Sequence, residues 1–324
     1  MIFENLAPLS EQYDAFFIDV FGVIFDGRKI CDGVLELMKE LKSAGKTLII
    51  LSNTTLVADA CKEKYQALGL KKGVHYDTFV SSGEAFCQTL HEHIHGAETY
   101  FQAVSRNDEI FRNSGLREVN TIPDADFVYV GSLYTGKRLF PLRDLKTRSG
   151  VPIAMDDITS FDCHDIAGMD ELAHLLDECL RFEKTLVIVN PDLFAIDTVG
   201  SEQIPLLCSG VVGEFYEKMG GKVVYFGKPY PAIYDYAEKF IQHDAKVAMI
   251  GDTPWTDILG GNTAGIDTSL TLTGVSGEFI KTMADDLSLT EKVEKLINEI
   301  SPKMVHRDLK KFSQSPKHII KRFA

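Results

Sequence analysis

The sequence predicts an α/β protein whose parallel sheet carries helices on both faces and is interrupted by a second α/β unit. Short apolar runs alternate with helix-like segments in the first 90 residues, and the same alternation returns after residue 220. The section between them has strand and helix patterns of its own. Repeated strand–helix units need right-handed crossovers, and such crossovers produce a parallel sheet covered on both faces.

The first part of the chain contains three strand–helix units. Phe16–Val20 is a short apolar run, and Gly33–Gly45 then has apolar residues at helical spacing before a glycine stop. Thr47–Asn53 is predicted to be a strand and Val57–Leu70 a helix. Asp77–Leu90 is predicted to be a strand that runs into a helix.

The later part repeats this pattern. Lys222–Pro229 and Lys246–Thr253 each predict a strand, with a helix between them over Ala232–Gln242. We therefore expect both ends of the chain to contribute to one sheet. The middle section contains two strand-like runs and one helix, at Asp126–Gly131, Thr185–Asn190 and Met169–Phe182.

A long middle section between two halves of one sheet predicts an inserted domain. We place the first part of the core at residues 1–87, the inserted domain at 88–208 and the second part of the core at 209–300. Residues 301–324 form a locally basic tail, for which a solvated or docked terminal helix is the simplest interpretation. A weak site for an anionic partner is the alternative.

The composition restricts the classes of partner. The chain has 324 residues and a formal net charge of -13, which argues against nucleic-acid binding because that requires clustered Lys and Arg. No apolar run approaches the roughly 20 residues that span a bilayer, so we expect no membrane partner. The first residues lack a basic leader, and we therefore expect a cytoplasmic protein with a small-molecule partner.

Polar side chains follow four of the predicted strands, and ligands of an open parallel sheet bind at the carboxyl ends of its strands. A single Asp at such a position is more often a cap or turn residue. The set as a whole combines a possible nucleophile, oxyanion-binding groups, a cation and further carboxylates that can hold Mg²⁺, which suits phosphoryl transfer. These residues are Asp19, Ser52, Asn53, Lys228, Asp252 and Asp257.

The segments that carry these residues resemble the haloacid dehalogenase (HAD) superfamily, and specifically its class IIA branch, which includes NagD-like and p-nitrophenyl-phosphatase-like enzymes. The matching segments are FFIDVFGVIFDG, LIILSNTT, FGKPYP and MIGDTPWTDILGGNTAG, of which the last is the most specific. The resemblance covers roughly residues 14–90 and 209–285. It implies a Rossmann-like parallel-sheet core with an inserted C2-type α/β cap, and a Mg²⁺-dependent phosphatase that acts on a small phosphorylated metabolite.

The resemblance also implies roles for the residues that react with and hold the phosphoryl group. Asp19 is expected to be the nucleophile that forms an aspartyl-phosphate intermediate. Ser52 and Lys228 are expected to hold the transferring phosphoryl group, with Asn53 beside them, so that Lys228 is both a catalytic and a phosphate-binding residue.

A metal site is implied at the same strand ends. Asp252, Asp19 and the backbone carbonyl of Phe21 are expected to ligate Mg²⁺. Asp257 is expected to support the metal through water or to orient Lys228.

The segment VNPDLFAI, residues 189–196, is similar to a cap segment that lies near the active-site mouth in class IIA enzymes. Asn190 and Asp192 are therefore candidate specificity residues, although a strand end followed by a Pro turn is the simpler interpretation. Because caps of this branch often take part in dimers, a homodimer is a further expectation.

The chain departs from the phosphatase pattern at Phe21. That pattern has a second Asp two residues after the nucleophile, which protonates the leaving oxygen and then activates water, and a phenyl ring can do neither. Three interpretations stay open: a phosphatase that is slow on alkyl esters, a dehalogenase-like hydrolase, and a binding protein that keeps the phosphate and Mg²⁺ sites with little turnover. The carboxylates of Asp252 and Asp257 argue against the dehalogenase, which needs no Mg²⁺ ligands.

Overall fold

The computed structural model describes residues 2–105, 107–133, 141–199, 202–306 and 309–324. Its strands are β1 (Ile2–Phe3), β2 (Ala15–Ile18), β3 (Thr47–Ser52), β4 (Thr78–Ser81), β5 (Thr99–Ala103), β6 (Arg117–Glu118), β7 (Phe127–Val130), β8 (Thr185–Ile188), β9 (Phe194–Val199), β10 (Glu202–Leu207), β11 (Lys222–Tyr225), β12 (Val247–Gly251), β13 (Asp267–Thr271) and β14 (His318–Ile320).

The α-helices are α1 (Val34–Ser43), α2 (Ala58–Ala67), α3 (Ser82–His93), α4 (Asp170–Arg181), α5 (Gly210–Lys218), α6 (Pro231–Glu238), α7 (Leu259–Thr263), α8 (Gly274–Thr282), α9 (Leu289–Lys295) and α10 (Ser301–Met304). Short 3₁₀ turns cover Ala7–Gln12, Asp108–Phe111, Leu142–Asp144, Met155–Ser160 and Cys163–Asp165. Two π-helical turns cover Pro254–Ile258 and Leu296–Ile300. Among the described residues, no helix has both the length and the apolar character needed to cross a bilayer.

The first sheet has seven parallel strands, in the order β1-β14-β13-β12-β2-β3-β4. Every residue of β2 and of β12 is buried. Continuous apolar runs of this kind are expected where helices cover both faces of a parallel sheet. The predicted α/β fold with a parallel-sheet core is therefore confirmed.

Helices cover the two faces of this sheet through apolar residues at helical spacing. On one face, Val34, Met38 and Leu41 of α1 are buried in a cluster that also contains residues of β2 and β3. On the other face, Ile233 and Ala237 of α6 pack with the alternate residues of the same strands. The spacing of three or four residues places each apolar stripe on one side of its helix, where burial against the sheet stabilises it.

A second sheet has five parallel strands in the order β11-β8-β7-β5-β6. Helix α3 packs on one face of it, and α4 and α5 contribute to the core on the other. The predicted strands over Asp126–Gly131 and Thr185–Asn190 and the helix over Met169–Phe182 correspond to β7, β8 and α4. Strands β9 and β10 pair antiparallel and form a separate two-stranded sheet.

Two sequence predictions about sheet membership are wrong. Lys222–Tyr225 was expected in the first sheet, but it is the edge strand of the second, where Tyr225 lies opposite Ile188 of β8. A short apolar run shows that a strand exists, while its partner is set by the tertiary packing of α5, which the run does not encode. The tail was expected to be solvated or to form a docked helix, but His318–Ile320 forms a strand between β13 and β1.

The proposed division of the chain at residues 87, 208 and 300 stays a prediction. The strands of the second sheet extend beyond the section assigned to the inserted domain, because β11 begins at Lys222.

Candidate active site

Strands from both sheets lead to one site. Strands β2, β3 and β12 approach it from the seven-stranded sheet, and β8 and β11 approach it from the five-stranded sheet. All nine sequence-predicted residues line two adjoining cavities, of about 40 and 260 Å³. These residues are Asp19, Phe21, Ser52, Asn53, Asn190, Asp192, Lys228, Asp252 and Asp257.

Lys228 is the cationic centre of the site, and its side chain is 2% exposed. Its Nζ donates to Asp19 Oδ1 at 2.5 Å and to the carbonyl oxygen of Leu51 at 2.9 Å. It also forms an ion pair with Asp257 Oδ1 at 2.8 Å. Burial acts to lower the pKa of Lys228, but the Asp19 and Asp257 carboxylates outweigh it and raise that pKa. The ammonium group is therefore charged and fixed beside Asp19.

Asp19 follows β2 directly, and its backbone N–H extends the sheet ladder by donating to the carbonyl oxygen of Ile250 at 2.9 Å. Burial raises the pKa of the Asp19 carboxyl to about 7. The charge of Lys228 opposes this shift, whereas the carboxylates of Asp257 and Asp192 add to it. Asp19 thus depends on nearby positive charge to be ionised.

Three buried carboxylates, those of Asp19, Asp252 and Asp257, have oxygens within 4.8 Å of one another. Asp252 Oδ2 accepts from the N–H of Val275 at 2.6 Å, at the start of α8, and its Oδ1 accepts from the Thr253 hydroxyl at 3.0 Å. Burial raises the pKa of Asp252 well above its usual range, and the Asp257 and Asp19 carboxylates raise it further. Fully ionised, this point of the fold would carry an excess of negative charge, so it favours binding a cation.

Asp257 closes the loop that carries Asp252. Its Oδ2 accepts from the N–H groups of Asp252 at 3.1 Å and of Thr253 at 3.0 Å, while its Oδ1 faces Lys228. The π-helical turn over Pro254–Ile258 brings the side chain back onto these two N–H groups. Asp257 thus both orders the loop and orients Lys228.

Two glycines allow the backbone to approach Asp252 closely. Gly22 and Gly274 have φ of +80° and +50°, and an added Cβ would lie 2.3 and 2.0 Å from Asp252 Oδ2. Only glycine adopts such angles at this separation without strain. Carboxylate oxygens are the ligands that hard divalent cations prefer, so the donor set and its excess of negative charge fit Mg²⁺.

Phe21 lines both cavities but offers no proton-transferring group. Its ring packs edge-on against Phe25 with centroids 5.3 Å apart. Lys64 Nζ lies 5.5 Å from the centroid of the Phe21 ring, a distance at which a cation and an aromatic face attract.

Asn53 links the two sheets through its side-chain amide. Its Nδ2 donates to Asp192 Oδ1 at 2.9 Å and to the carbonyl oxygen of Lys228 at 2.8 Å. Its Oδ1 accepts from the N–H of Lys228 at 2.7 Å and from the Ser82 hydroxyl at 3.2 Å. All the hydrogen-bonding capacity of the amide is thus used. Asn53 lies beside Ser52, as expected, and its amide is fully engaged in hydrogen bonds to Lys228, Asp192 and Ser82.

Asn190 and Asp192 form a turn and also line the candidate site. Asn190 Oδ1 accepts from the N–H of Asp192 at 3.0 Å, which is the hydrogen bond of an Asx turn. Both residues also line the larger cavity. Burial raises the pKa of Asp192 to about 6, although Lys228 and Asn53 act to lower it.

Sequence reasoning missed two residues that contribute to the site. Ser82 supports Asn53 and follows β4, so the rule that sites lie behind strand ends was sufficient to find it. Lys64 lines the larger cavity from the exposed side of α2, and no motif or strand end indicates it.

Comparison with known proteins identifies the family. A model of haloacid dehalogenase-like hydrolases matches residues 16–117, and a HAD-hydrolase-like model matches residues 225–312. Phosphoglycolate phosphatase 1A, chloroplastic, of Arabidopsis thaliana is 24% identical over 286 residues, which cover 84% of this chain and 72% of that protein.

Two solved structures share the fold. A haloacid dehalogenase-like family hydrolase from Brucella suis 1330 has a TM-score of 0.69 at 20% identity, covering 99% of both chains. A p-nitrophenyl phosphatase from Archaeoglobus fulgidus has a TM-score of 0.63 at 22% identity, covering 96% of both chains. The chain therefore belongs to the haloacid dehalogenase superfamily of hydrolases.

Proposed function

We propose that this haloacid dehalogenase-family hydrolase is a Mg²⁺-dependent phosphatase that acts on a small phosphorylated metabolite through an aspartyl-phosphate at Asp19. The observation that carries the proposal is the convergence of Asp19, Lys228, Asp252 and Asp257 at one cavity. The chain's similarity to a phosphoglycolate phosphatase and a p-nitrophenyl phosphatase supports the same reaction class.

In the proposed first step, a carboxylate oxygen of Asp19 attacks phosphorus while the bond to the ester oxygen breaks. Lys228, paired with Asp19 Oδ1 in the structure, moves its contact to a phosphoryl oxygen and neutralises part of the developing charge. The hydroxyl of Ser52, at the end of β3, binds a second phosphoryl oxygen. Water then attacks the aspartyl-phosphate, which releases phosphate and restores Asp19. Phosphoryl transfer requires mainly this positioning and charge neutralisation.

Asp19, Asp252 and the backbone carbonyl of Phe21 are the proposed ligands of Mg²⁺. The metal supplies positive charge that offsets the negative charge of the phosphoryl group. Asp257 supports the site indirectly, because it orders the Asp252 loop and holds Lys228 in place.

Phe21 determines which substrates are favoured in this proposal. Since it provides no proton, the leaving oxygen must depart as an anion or take a proton from water or from the substrate itself. Loss of general acid–base catalysis typically costs about 10²- to 10⁴-fold in rate. Esters with acidic leaving groups are therefore expected to react much faster than simple alkyl phosphates.

The larger cavity supports a small substrate. It is lined from both sheets, with Thr55 and Lys64 on one side and Ser132, Asn190 and Asp192 on the other. We propose that residues 88–208 act as a C2-type cap over the site and that Asn190 and Asp192 contribute to specificity. A cap that closes excludes water and selects the substrate.

The first test is an assay of the purified chain against p-nitrophenyl phosphate and a panel of phosphometabolites, with Mg²⁺ and with chelator. Asp19→Asn is the test variant. Asp26→Asn is its matched control, because Asp26 lies in the same segment but accepts hydrogen bonds from the N–H groups of the turn residues Arg28 and Lys29. The proposal requires turnover that depends on Mg²⁺, is lost in Asp19→Asn and is retained in Asp26→Asn.

A second candidate, favoured by Phe21 alone, is a protein that binds a phosphorylated ligand and Mg²⁺ with little turnover. It predicts Mg²⁺-dependent binding of phosphate without hydrolysis of any member of the panel. A dehalogenase-like hydrolase is the third candidate. Hydrolysis of a haloacid in the presence of chelator would favour it over both the phosphatase and the binding protein.

A further inference from the structure

The larger cavity of the candidate active site is lined by an ammonium group that the proposed reaction does not use. Lys64 lies on the exposed side of α2 and lines this cavity together with Asp19 and Phe21. Its Nζ lies 5.5 Å from the ring centroids of both Phe21 and Phe25 and 5.1 Å from that of Tyr65. At these distances an aromatic face attracts a cation. The three rings therefore hold the ammonium group at the cavity.

The three rings are themselves fixed by packing. Phe25 and Tyr65 are buried. The Phe21 ring packs edge-on against Phe25, with centroids 5.3 Å apart, and Phe25 packs edge-on against Tyr65 at 5.7 Å. A cation that rests on a rigid platform loses less side-chain freedom when it binds a ligand than a freely moving lysine does. Lys64 is thus positioned in advance for a contact in the cavity.

The charge of Lys64 is not neutralised by a neighbour. Within the part of the chain that the structure describes, no carboxylate lies within 4.0 Å of its Nζ, and no oxygen accepts a hydrogen bond from it. A phenyl ring attracts an ammonium group but leaves its charge intact, whereas an Asp at position 21 would compete for it. The exchange of Asp for Phe at this position therefore leaves Lys64 available to a negatively charged ligand.

The charges around the larger cavity favour one position for a second anionic group. Among the described residues that line it, Asp19 and Asp192 are acidic and Lys64 is basic. Lys228 lines the smaller cavity instead and is paired with Asp19 and Asp257. Since opposite charges attract and like charges repel over such short distances, an anionic group in the larger cavity is drawn to Lys64 and away from Asp192.

The wall of the cavity that comes from the loop after β3 is preformed. Thr54 and Thr55 line the cavity in this loop. The carbonyl oxygen of Thr54 accepts from the N–H of Gly83 at 3.2 Å, and that of Thr55 accepts from Asn107 Nδ2 at 2.8 Å. These two bonds join the loop to α3 and to the segment after β5. The wall therefore needs little reordering when a ligand binds.

We propose that Lys64 is a specificity-determining residue, whose ammonium group binds a second anionic group on the leaving-group part of the substrate. That group is a carboxylate or a second phosphate, because both accept charge-assisted hydrogen bonds from an ammonium group. The cavity of about 260 Å³ is smaller than most ligand pockets, so both anionic groups belong to one small molecule. The inference rests on the proposed function, which places the phosphoryl group at Asp19.

The primary test measures binding, so that it does not depend on turnover. Calorimetry with Mg²⁺ compares alkylphosphonates that have one to three methylene groups with the carboxylated phosphonates and the bisphosphonates of the same lengths. The test variants are Lys64→Met, which removes the charge, and Lys64→Arg, which keeps it. Lys62→Met is the matched control, because Lys62 lies on the same helix but two residues away, on another face.

We expect the wild-type chain to bind the carboxylated phosphonate or the bisphosphonate of the fitting length about tenfold more tightly than the alkylphosphonate, the lower end for a hydrogen bond to a charged group. The preference should disappear in Lys64→Met, remain in Lys62→Met and be partly retained in Lys64→Arg. It should also weaken at high salt, because Lys64 is exposed. Which of the two anionic phosphonates binds better identifies the second group.

A kinetic comparison checks the same contact during turnover. p-Nitrophenyl phosphate and its 3-carboxylate derivative both have acidic leaving groups, so the lack of a general acid at Phe21 affects them alike. In Lys64→Met, kcat/KM for the carboxylated ester should fall about tenfold while that for p-nitrophenyl phosphate changes little. An equal fall for both esters would show that Lys64 only supports the fold.

Two binding results would overturn the inference. One is a wild-type chain that gains nothing from a second anionic group at any of the three lengths. The other is a preference that persists in Lys64→Met. If p-nitrophenyl phosphate is hydrolysed in either case, the proposed function stands while the role of Lys64 fails. If the wild-type chain hydrolyses neither ester but its preference among phosphonates depends on Lys64, the phosphatase fails and the anion-binding role stands.

Discussion

Two ionic clusters among the described residues differ in how their charges are balanced: the active-site cluster, and the group of Glu214, Glu217 and His306, which we call the C-terminal cluster. In the active-site cluster, defined as Asp19, Lys228, Asp252 and Asp257, three carboxylates face one ammonium group and all four residues are buried. In the C-terminal cluster only His306 is buried, and the two glutamates are partly exposed. Solvent and a hydrogen bond from the Tyr225 hydroxyl therefore stabilise the charges of the second cluster, whereas the ionised carboxylates of the first outnumber its one ammonium group.

This difference is the one expected between the proposed catalytic site and a cluster that only stabilises the fold. Uncompensated buried charge destabilises the folded state, and it persists where function requires it. We therefore expect opposite effects of removing one charge. Neutralising a carboxylate of the active-site cluster should cost activity and leave stability unchanged or higher. Removing His306 from the C-terminal cluster should cost stability first.

The largest expected effect is that of Asp19→Asn on turnover. Removing the nucleophile should lower kcat on p-nitrophenyl phosphate by about 10⁴-fold or more, the scale seen when a covalent catalyst is deleted. Its thermal midpoint without metal should equal or exceed that of the wild-type chain, because one buried negative charge is gone. A clear fall in that midpoint would contradict the assigned charge balance, and retention of a tenth of the activity would exclude Asp19 as nucleophile.

The next largest effect on rate is expected when Phe21 is replaced by the general acid that the phosphatase pattern has at this position. In Phe21→Asp, hydrolysis of alkyl phosphates should rise by about 10²- to 10⁴-fold, while p-nitrophenyl phosphate should respond little because its leaving group needs no proton. Phe21→Asn is the control, since it also removes the aromatic packing on Phe25 but cannot transfer a proton. Equal gains in the two variants would show that space, not acid catalysis, limits the rate.

Magnesium should distinguish the clusters by stability. A cation that binds only the folded state raises the free energy of unfolding by about 2.7 kcal/mol at one hundred times its Kd. We expect this gain in the wild-type chain and in Glu217→Gln, and its loss in Asp252→Asn, measured by urea unfolding with and without Mg²⁺. A gain that disappears in Glu217→Gln would place the metal at the C-terminal cluster instead.

The contrast between the clusters also shows what the sequence could predict. The active-site cluster was partly predictable because parallel strands carry their ligand-binding residues at their carboxyl ends, so Asp19 and Asp252 were expected at one edge of the sheet. Lys228 was predicted from the strand end that precedes it, on the expectation that this strand joins the first sheet. Its strand, β11, belongs to the second sheet, and nothing in the run KVVY shows which sheet it joins.

The C-terminal cluster was not predictable for a related reason. The spacing of Glu214 and Glu217 indicates a common helix face, but their partner His306 lies in a segment whose charge pattern suggested a solvated tail. Strand β14 is three residues long, and its place between β13 and β1 depends on contacts that are distant in sequence. Short-range patterns identify elements, while such long-range pairings are decided by packing of the whole chain.

The smallest expected effects are those of pH on stability. Asp192 and His306 should lose their contributions to stability in different pH ranges. Without metal, the raised pKa of Asp192, about 6, adds stability that is complete below its unfolded value near 3.9 and is lost as the pH rises through 6. The raised pKa of His306 adds stability that is complete below about 6.5 and is lost at higher pH. Asp192→Asn should therefore flatten the unfolding free energy between about pH 4 and 6, by about 1 kcal/mol after allowance for solvent screening. His306→Gln should flatten it above about pH 6.5. Urea unfolding of the wild-type chain and the two variants, measured across both pH ranges with chelator present, gives these free energies. If His306→Gln instead alters only the lower range, the imidazole is neutral in the folded chain and the ion pair with Glu214 does not form.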